Sequence, residues 1–590
     1  MSILKKICSV ALCFATAFAV LPGCTNSADD SSPDSSNTDK PREETPVVCP
    51  VEYEAYKPAD FDEWARENYD SAGTTLLNRA STMPGIAESE YFSLEANGKE
   101  VPVYAEKTTN GVHSLAFIDL DGLSENPIFK LNLVIHTSEA RTNPVVLPES
   151  SGVKAVATGK KVTATITDFG SFTFTFDRKS SYSKLTGDGS QNPLTVIVKR
   201  AEKPSFPADY QKKEFTPGRY TIDQTSFTES KTVYYFKKGT YEIEGMKIPS
   251  ESEFYFEPGT VLRIKDMTFD SNGRPVVNTF FSMNTAHSKN IKFGGRVAID
   301  CAARNGSLTV YAEDKRSDGY TGGASGVFDL SRIDGLEFYG VHVVNSPTWT
   351  CCFTSDKNVT IRDITLVAYK TFSDGVMISD SNTVNVSGCF VRTGDDAMEV
   401  KSTSDGSVTM GNIVFENNAV WTDKGIAYGS VYEDNFDRKN VTWRNNSVGF
   451  ALASWSEHLG CTNVHRKGEN YSAVDENLRF ENIEIYQTYC PVATIVMDYG
   501  GTIKNIYYKN ITARYVDIAG NRNFRGPIDI VLRNYGNKDE SYFTLKTLYF
   551  DNIEIAGKKL TADNKEELVT TKINGDFEFE YKIIRVNTLG

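Results

Sequence analysis

The feature that most constrains this chain is an internal repeat running through its second half. The unit reads Φ-x-Φ-x-x-(Asn/Asp/Gly)-x-x-Φ, where Φ is apolar, and asparagine often leads it. It occurs at Gly335–Val343, Asn358–Leu366, Thr383–Val391, Asn412–Val420, Asn440–Val448, Asn477–Ile485, Asn505–Ala513 and Thr547–Ile555. Its first apolar positions, Leu336, Val359, Val384, Ile413, Val441, Leu478, Ile506 and Leu548, are 23, 25, 29, 28, 37, 28 and 42 residues apart. That is the length of one solenoid coil. Alternation along each strand sends one set of side chains inward and the other outward. The Asn or Gly at the bend tolerates left-handed backbone and can stack on its equivalent in the next coil. A propeller would need longer, more even four-stranded repeats. The pattern predicts an all-β fold whose main body, residues 206–585, is a right-handed parallel β-helix. Its longer intervals would be loops gathered on one face to build a cleft.

Ahead of the repeat, residues 91–198 read as short alternating strands, such as Val101–Tyr104, Phe129–Val134 and Phe172–Phe176, broken by turn residues. This predicts a small β-sandwich inside an N-terminal region, 51–205. Residues 51–84 look partly helical, for example Phe61–Tyr69. At the N-terminus, Lys5 and Lys6 precede an apolar run, Ile7–Val20, too short to span a bilayer and typical of a secretory leader. The run leads to Leu21-Pro22-Gly23-Cys24, which resembles the lipobox of bacterial lipoproteins. That resemblance implies a cleaved leader, 1–23, and a lipidated Cys24. Residues 24–50 would be a disordered tether too polar to bury a core. The expected location is the bacterial cell envelope, membrane-held through lipid and exported to the periplasm or outer surface.

The net charge of −14 over 590 residues argues against nucleic acid or an anionic membrane surface as partner, since both need clustered Lys and Arg. Of ten cysteines, Cys8 and Cys13 leave with the leader and Cys24 carries lipid. The remaining seven sit mostly in apolar strand contexts without C-x-x-C spacing, so no structural zinc and at most one or two disulfides are expected.

The chemistry concentrates in Ser373-Asp374-Gly375 and Thr393-Gly394-Asp395-Asp396. Asp374 and Asp395 are 21 residues apart, about one coil, which puts them on neighbouring rungs roughly 5 Å apart. Carboxylates that close raise one another's pKa, so one can stay protonated while another stays ionised. Inverting glycosidases need that division of labour. Turn residues or calcium ligands are the plainer reading of Asp-Asp, but the shared coil position favours chemistry.

Asp374-Gly375, Thr393–Asp396, the following Gly425–Ser430, the upstream Asn345–Thr350 and the Gly294–Asp300 turn resemble the β-helical glycosidase clan. That clan holds the polygalacturonases (glycoside hydrolase family 28) and the dextranase/isopullulanase family (family 49). The similarity spans about Tyr234 to Ile555. It implies Asp395 as general acid, with Asp374 and Asp396 holding and deprotonating the water. Three departures bear on the substrate. Lys424 stands where polygalacturonases have histidine, Ala427 replaces a serine, and Phe450–Trp455 lacks the Arg-x-Lys pair that meets a uronate carboxylate. A neutral polysaccharide is the expected substrate, an α-glucan cleaved in the manner of family 49, which also carries a sandwich ahead of its β-helix. A pectin hydrolase and a β-helical α-galactosidase stay open, as do a polysaccharide lyase and a non-catalytic glycan-binding solenoid. Substrate contacts are expected from Glu399 and Lys401, which alternate onto one face with Asp395, and from Trp349, Trp421, Tyr428 and Asp498. Tyr432, Trp455 and Tyr499 are further aromatic candidates. Neither a metal nor another cofactor is expected, and the chain should be monomeric.

Overall fold

The computed structural model describes residues 43–55, 86–108, 111–176, 192–218, 221–264, 280–301, 326–346, 349–368, 373–402, 410–423, 425–432, 437–451, 459–463, 474–497, 501–518, 525–533 and 543–574. The leader with Cys24, and Phe61–Tyr69, lie outside them.

Residues 47–200 build two facing sheets. One pairs Val47–Pro50, Ala87–Glu88, Tyr104–Thr108, Gly111–Asp121, Leu194–Arg200, Gly170–Thr175 and Val145–Leu147. The other pairs Lys99–Val101, Phe92–Ala96, Leu131–Thr137, Lys161–Ile166 and Ala155–Thr158. Alternation along Gly111–Asp121 explains why this strand is buried on both sides. Ala116, Ile118 and Leu120 join Leu133, Ile135 and Val162 between the sheets, whereas Leu115 and Phe117 point the other way, against Val344, Val367 and Phe390 of the coils. Polar pairs lock this seam, where buried groups need partners. Arg296 Nε lies 3.1 and 3.0 Å from the Asp119 oxygens, His342 Nε2 lies 2.5 Å from Glu106 Oε1, and Lys199 Nζ lies 2.6 Å from Asp363 Oδ1. Glu43–Gly590 accordingly forms one compact unit.

The end of the expected tether 24–50 needs correction. Val47–Pro50 is a strand, paired antiparallel with Ile118–Asp121, and Val48 is buried. Consecutive β-branched valines favour a pleated, half-buried site, and this outweighs the polar composition before them.

From Gln211 to Asn574 strands stack in two sheets, one of 19 strands and one of 11, parallel throughout except for the short terminal strand Lys558–Lys559. A representative coil runs Asn382–Ser387, a left-handed corner at Gly388 (φ 65°), Phe390–Thr393, a second corner, then Met398–Ser402. The register places Leu336 on Val359, Val359 on Val384, Val384 on Ile413, Ile413 on Val441 and Val441 on Leu478, so the repeat in the sequence is the rung in the structure. Inside, the rings of Phe415, Trp443, Phe480, Tyr508 and Phe550 stack with centroids 5.7, 4.6, 4.9 and 5.3 Å apart. At the first corner Asn445, Asn482, Asn510 and Asn552 are left-handed (φ 53°, 55°, 52° and 53°). Each later amide donates to the one before it, at 2.9, 2.8 and 2.9 Å. Rungs about 4.8 Å apart bring equivalent side chains within such reach. The body is a parallel β-helix, right-handed as parallel crossovers are. Cys49, Cys301, Cys351, Cys352, Cys389 and Cys490 are free thiols.

Candidate active site

The three aspartates lie at the second corner, where each coil turns from its second strand into its third. Backbone bonds continue across it. Thr350 N–H donates to the Asp374 carbonyl (2.9 Å), Gly375 N–H to that of Asp396 (2.8 Å) and Ala397 N–H to that of Ile426 (2.7 Å). Because Val376 pairs with Met398, Asp374 stacks on Asp396 rather than on Asp395, which sits one residue upstream. Glycines permit the tight corner. A Cβ on Gly425 would lie 2.0 Å from Asp396 N, and one on Gly375 would lie 2.2 Å from the Ala397 carbonyl oxygen.

Met398 and Val400 point into the core, so Glu399 and Lys401 project from the opposite face, toward the aspartates. Lys401 Nζ lies 3.2 Å from Glu399 Oε1, 3.5 Å from Asp374 Oδ2 and 4.6 Å from the Trp349 ring centroid. The triad is buried, with Asp374, Glu399 and Lys401 only 3%, 0% and 4% exposed. Burial, opposed by Lys401 and reinforced by Asp395, Glu399 and Asp396, raises the Asp374 pKa well above the ordinary carboxyl range. Asp374 Oδ1 is buried without a hydrogen-bond partner among the described residues.

Local bonds fix the other two acids. Asp396 Oδ1 accepts Ile426 N–H (2.7 Å), and Asp395 Oδ1 accepts Asp396 N–H (3.1 Å). The Asp395 carbonyl accepts the hydroxyls of Thr393 (2.6 Å) and Thr422 (3.2 Å), and Gly394 N–H donates to Ser373 Oγ (3.2 Å). Ser373 and Thr393 were placed in the aspartate motifs from the sequence without their bracing role, and Thr422 was missed. The register pairs Thr393 with Thr422, a recurrence at one coil position that the repeat alignment contains.

One carboxylate oxygen each from Asp374, Asp396 and Glu399 lies within 4.8 Å of the others, a spacing that could hold a cation. The Lys401 ammonium already contacts two of these acids, so the lysine supplies the positive charge that a metal would bring. Two carboxylates at this separation can also share one water.

Of the expected substrate contacts, the structure brings Glu399, Lys401 and Trp349 to the aspartates and takes two away. Tyr428 pairs with the inward-pointing Met398 and is buried in the coil core, its hydroxyl 3.1 and 2.9 Å from the carbonyl oxygens of Asn418 and Ser447. In phase with Glu399 and Lys401 come Gly429 and Val431 instead. Trp421 belongs to the seam. Its ring sits 5.3 Å from His113 and 5.2 Å from the Arg392 guanidinium, because the outer face of the second strand docks on the sandwich. Asp498, Trp455, Tyr499 and the Tyr432 side chain lie outside the described residues.

A family model described as "Glycosyl hydrolases family 28" matches residues 217–524, more than half of the chain. Similar solved structures include a polygalacturonase from Erwinia carotovora ssp. carotovora, with 15% identity, covering 65% of this chain and 99% of that one, at a TM-score of 0.46. An exopolygalacturonase from Thermotoga maritima shows 14% identity, covering 61% and 94% at 0.44. Dex49A from Penicillium minioluteum shows 10% identity, covering 85% and 96% at 0.46. No curated protein matches the sequence.

Proposed function

The chain belongs to glycosyl hydrolases family 28, and from that premise we propose an exported, lipid-anchored hydrolase that cleaves a neutral α-linked polysaccharide with inversion at the anomeric carbon. Family 28 replaces family 49, which the leading sandwich and the missing histidine had favoured in the sequence. The observation that carries the mechanism is the rung-on-rung stack of Asp374 and Asp396. Two acceptors sharing a water at about 2.8 Å each, at a near-tetrahedral angle, lie about 4.6 Å apart. Carboxylate oxygens of the stacked pair lie within 4.8 Å of each other, which is compatible with that spacing. Asp374 and Asp396 hold and deprotonate the nucleophilic water, and Asp395 protonates the leaving oxygen from the other side, the separation of roles that inversion requires.

The charge balance among the described residues supports a neutral sugar. The Lys401 ammonium contacts Asp374 and Glu399, and Asp395 and Asp396 add two further carboxyls close enough to Asp374 to raise its proton affinity. A uronate would add another carboxylate with no charge-assisted partner there. The family itself favours a second reading, a pectin-type substrate, since structures named polygalacturonases stand among the neighbours.

Reducing-end release from dextran, pullulan, polygalacturonate and galactosides separates these readings, with Asp395→Asn as control. Release from a neutral glycan, lost in the variant and giving the inverted anomer first by NMR, is the expected result. Activity on polygalacturonate alone would overturn the neutral substrate, and unsaturated, ultraviolet-absorbing products would indicate a lyase. Folded protein that releases nothing would point to a glycan-binding solenoid. The anchor is tested separately: Cys24→Ser should move the protein from the membrane to the soluble fraction.

A further inference from the structure

Between the sandwich and the coils runs a groove of about 870 Å³. The aspartates occupy the corner between second and third strands, whereas this groove follows the corner between first and second. Asn417, Asn445, Asn482 and Asn510 succeed one another there, rung by rung. The facing wall is the sandwich, through Glu149–Ser151 and the loop bearing Asp168 and Phe169.

We propose that this groove is a second, non-catalytic glycan-binding site that holds an extended stretch of polysaccharide against the asparagine ladder. The ligand class rests on the polysaccharide reading above. Rungs repeat at about 4.8 Å, close to the length of one pyranose in an extended glycan, so successive sugars meet successive amides. An asparagine amide carries two donors and an oxygen with two lone pairs. The ladder bonds between Asn445, Asn482, Asn510 and Asn552 use one donor and one lone pair of each central residue, leaving one of each for sugar hydroxyls. Asn445 and Asn482 are exposed to receive them.

The sandwich wall adds an apolar face. Phe169 is half-buried, packed 5.2 Å from the Phe129 ring and 5.4 Å from the Arg200 guanidinium, and it lines the groove. An aromatic ring of this kind receives the C–H face of a pyranose. The walls are also fixed relative to each other. The Glu484 carboxylate on the coils accepts the backbone N–H groups of Glu149 (2.5 Å) and Ser150 (2.9 Å), and Arg514 pairs with Glu149. A preformed groove spares the ligand the cost of ordering it. Its volume falls inside the range of about 300–1,000 Å³ typical of ligand sites. The sandwich thereby acquires a role in holding polymer near the catalytic corner.

The test uses the full chain carrying Asp395→Asn, so that glycan is bound but not consumed. Calorimetric titration with oligosaccharides from dextran, pullulan and polygalacturonate counts the sites. Two sites per chain are expected in this parent and one after adding Asn445→Gly and Asn482→Gly, which remove two amides while keeping glycine at the left-handed positions. Retention in polysaccharide gels should weaken about tenfold, the scale of losing a few hydrogen bonds of modest net worth. Phe169→Ala should weaken it independently, which guards against a folding defect in the first variant. One site in the parent, or equal affinity in parent, double-glycine and Phe169→Ala proteins, would overturn the proposal. Failure of the unmutated chain to hydrolyse any glycan while two sites persist would instead break the catalytic reading and leave the groove standing.

Discussion

The same coils turn two corners by opposite physics. At the first corner asparagines recur, and stacking them rung on rung is favourable because each neutral amide donates to the one before it. At the second corner Asp374, itself buried, stacks on Asp396, and bringing two like-charged carboxylates together is unfavourable. The first corner can be repeated along the solenoid and supports it. Among the described residues the second occurs once, with Lys401 to offset it, and keeps Asp374 with unusually high proton affinity. Local stability and chemical capacity are thus separated onto different edges of one repeat.

The sharpest break of that contrast is Asp395→Asn. Loss of a positioned proton donor costs about 10²–10⁴-fold in rate, and kcat on the responsive glycan should fall by that much while the thermal midpoint holds or rises. A mutant that unfolds, or one that keeps its rate, would mean the second corner is structural. Next in size is Lys401→Met. Removing one partner of a buried ionic cluster costs about 3–5 kcal/mol, and denaturant unfolding should show a loss on that scale, since Asp374 and Glu399 keep their burial and lose their counter-charge. An unchanged midpoint would show that the ammonium does not hold the acids together.

Glu399→Gln sharpens the comparison through pH. Asp374 must be ionised to take a proton from water, so its raised pKa sets the acid limb of kcat/KM above the ordinary carboxyl range. Glu399 contributes to that rise, whereas Lys401 opposes it. The limb should therefore move to lower pH in Glu399→Gln and to higher pH in Lys401→Met. Movement of both in one direction would remove Asp374 from the base role.

Much of both corners was legible in the sequence, because each depends on coil-to-coil recurrence. The apolar positions from Leu336 to Leu478 became successive rungs. Asparagines at the bends became left-handed ladder residues, and alternation correctly joined Glu399 with Lys401. Tyr428 was misplaced because the phase of Met398 was not carried one coil further, although the register makes both inward. Trp421 was misplaced for a different reason. Whether an outer face meets water or a second sheet depends on docking between segments far apart in the chain, as in Trp421 against His113 and Arg296 against Asp119, and no local pattern reports that. Hence the seam, and the groove along it, emerged only in three dimensions.

The smallest expected effects lie at the asparagine corner and test why asparagine is there. Asn482 combines a φ of 55° with ladder bonds to Asn445 and Asn510. Asn482→Gly removes the amide but tolerates the backbone, so it should cost about 1 kcal/mol, the net worth of an exposed hydrogen bond or two. Asn482→Ala removes the same bonds but, unlike glycine, keeps a Cβ in left-handed backbone without the short polar side chain that lets asparagine tolerate it, a difference from the glycine variant of about 1–2 kcal/mol. Urea unfolding of the two variants side by side reads the difference directly. If alanine proves the more costly by that margin, the corner is selected first by backbone conformation, with the amide ladder as a secondary gain. If the two lose stability equally, the ladder bonds rather than the backbone conformation carry the corner.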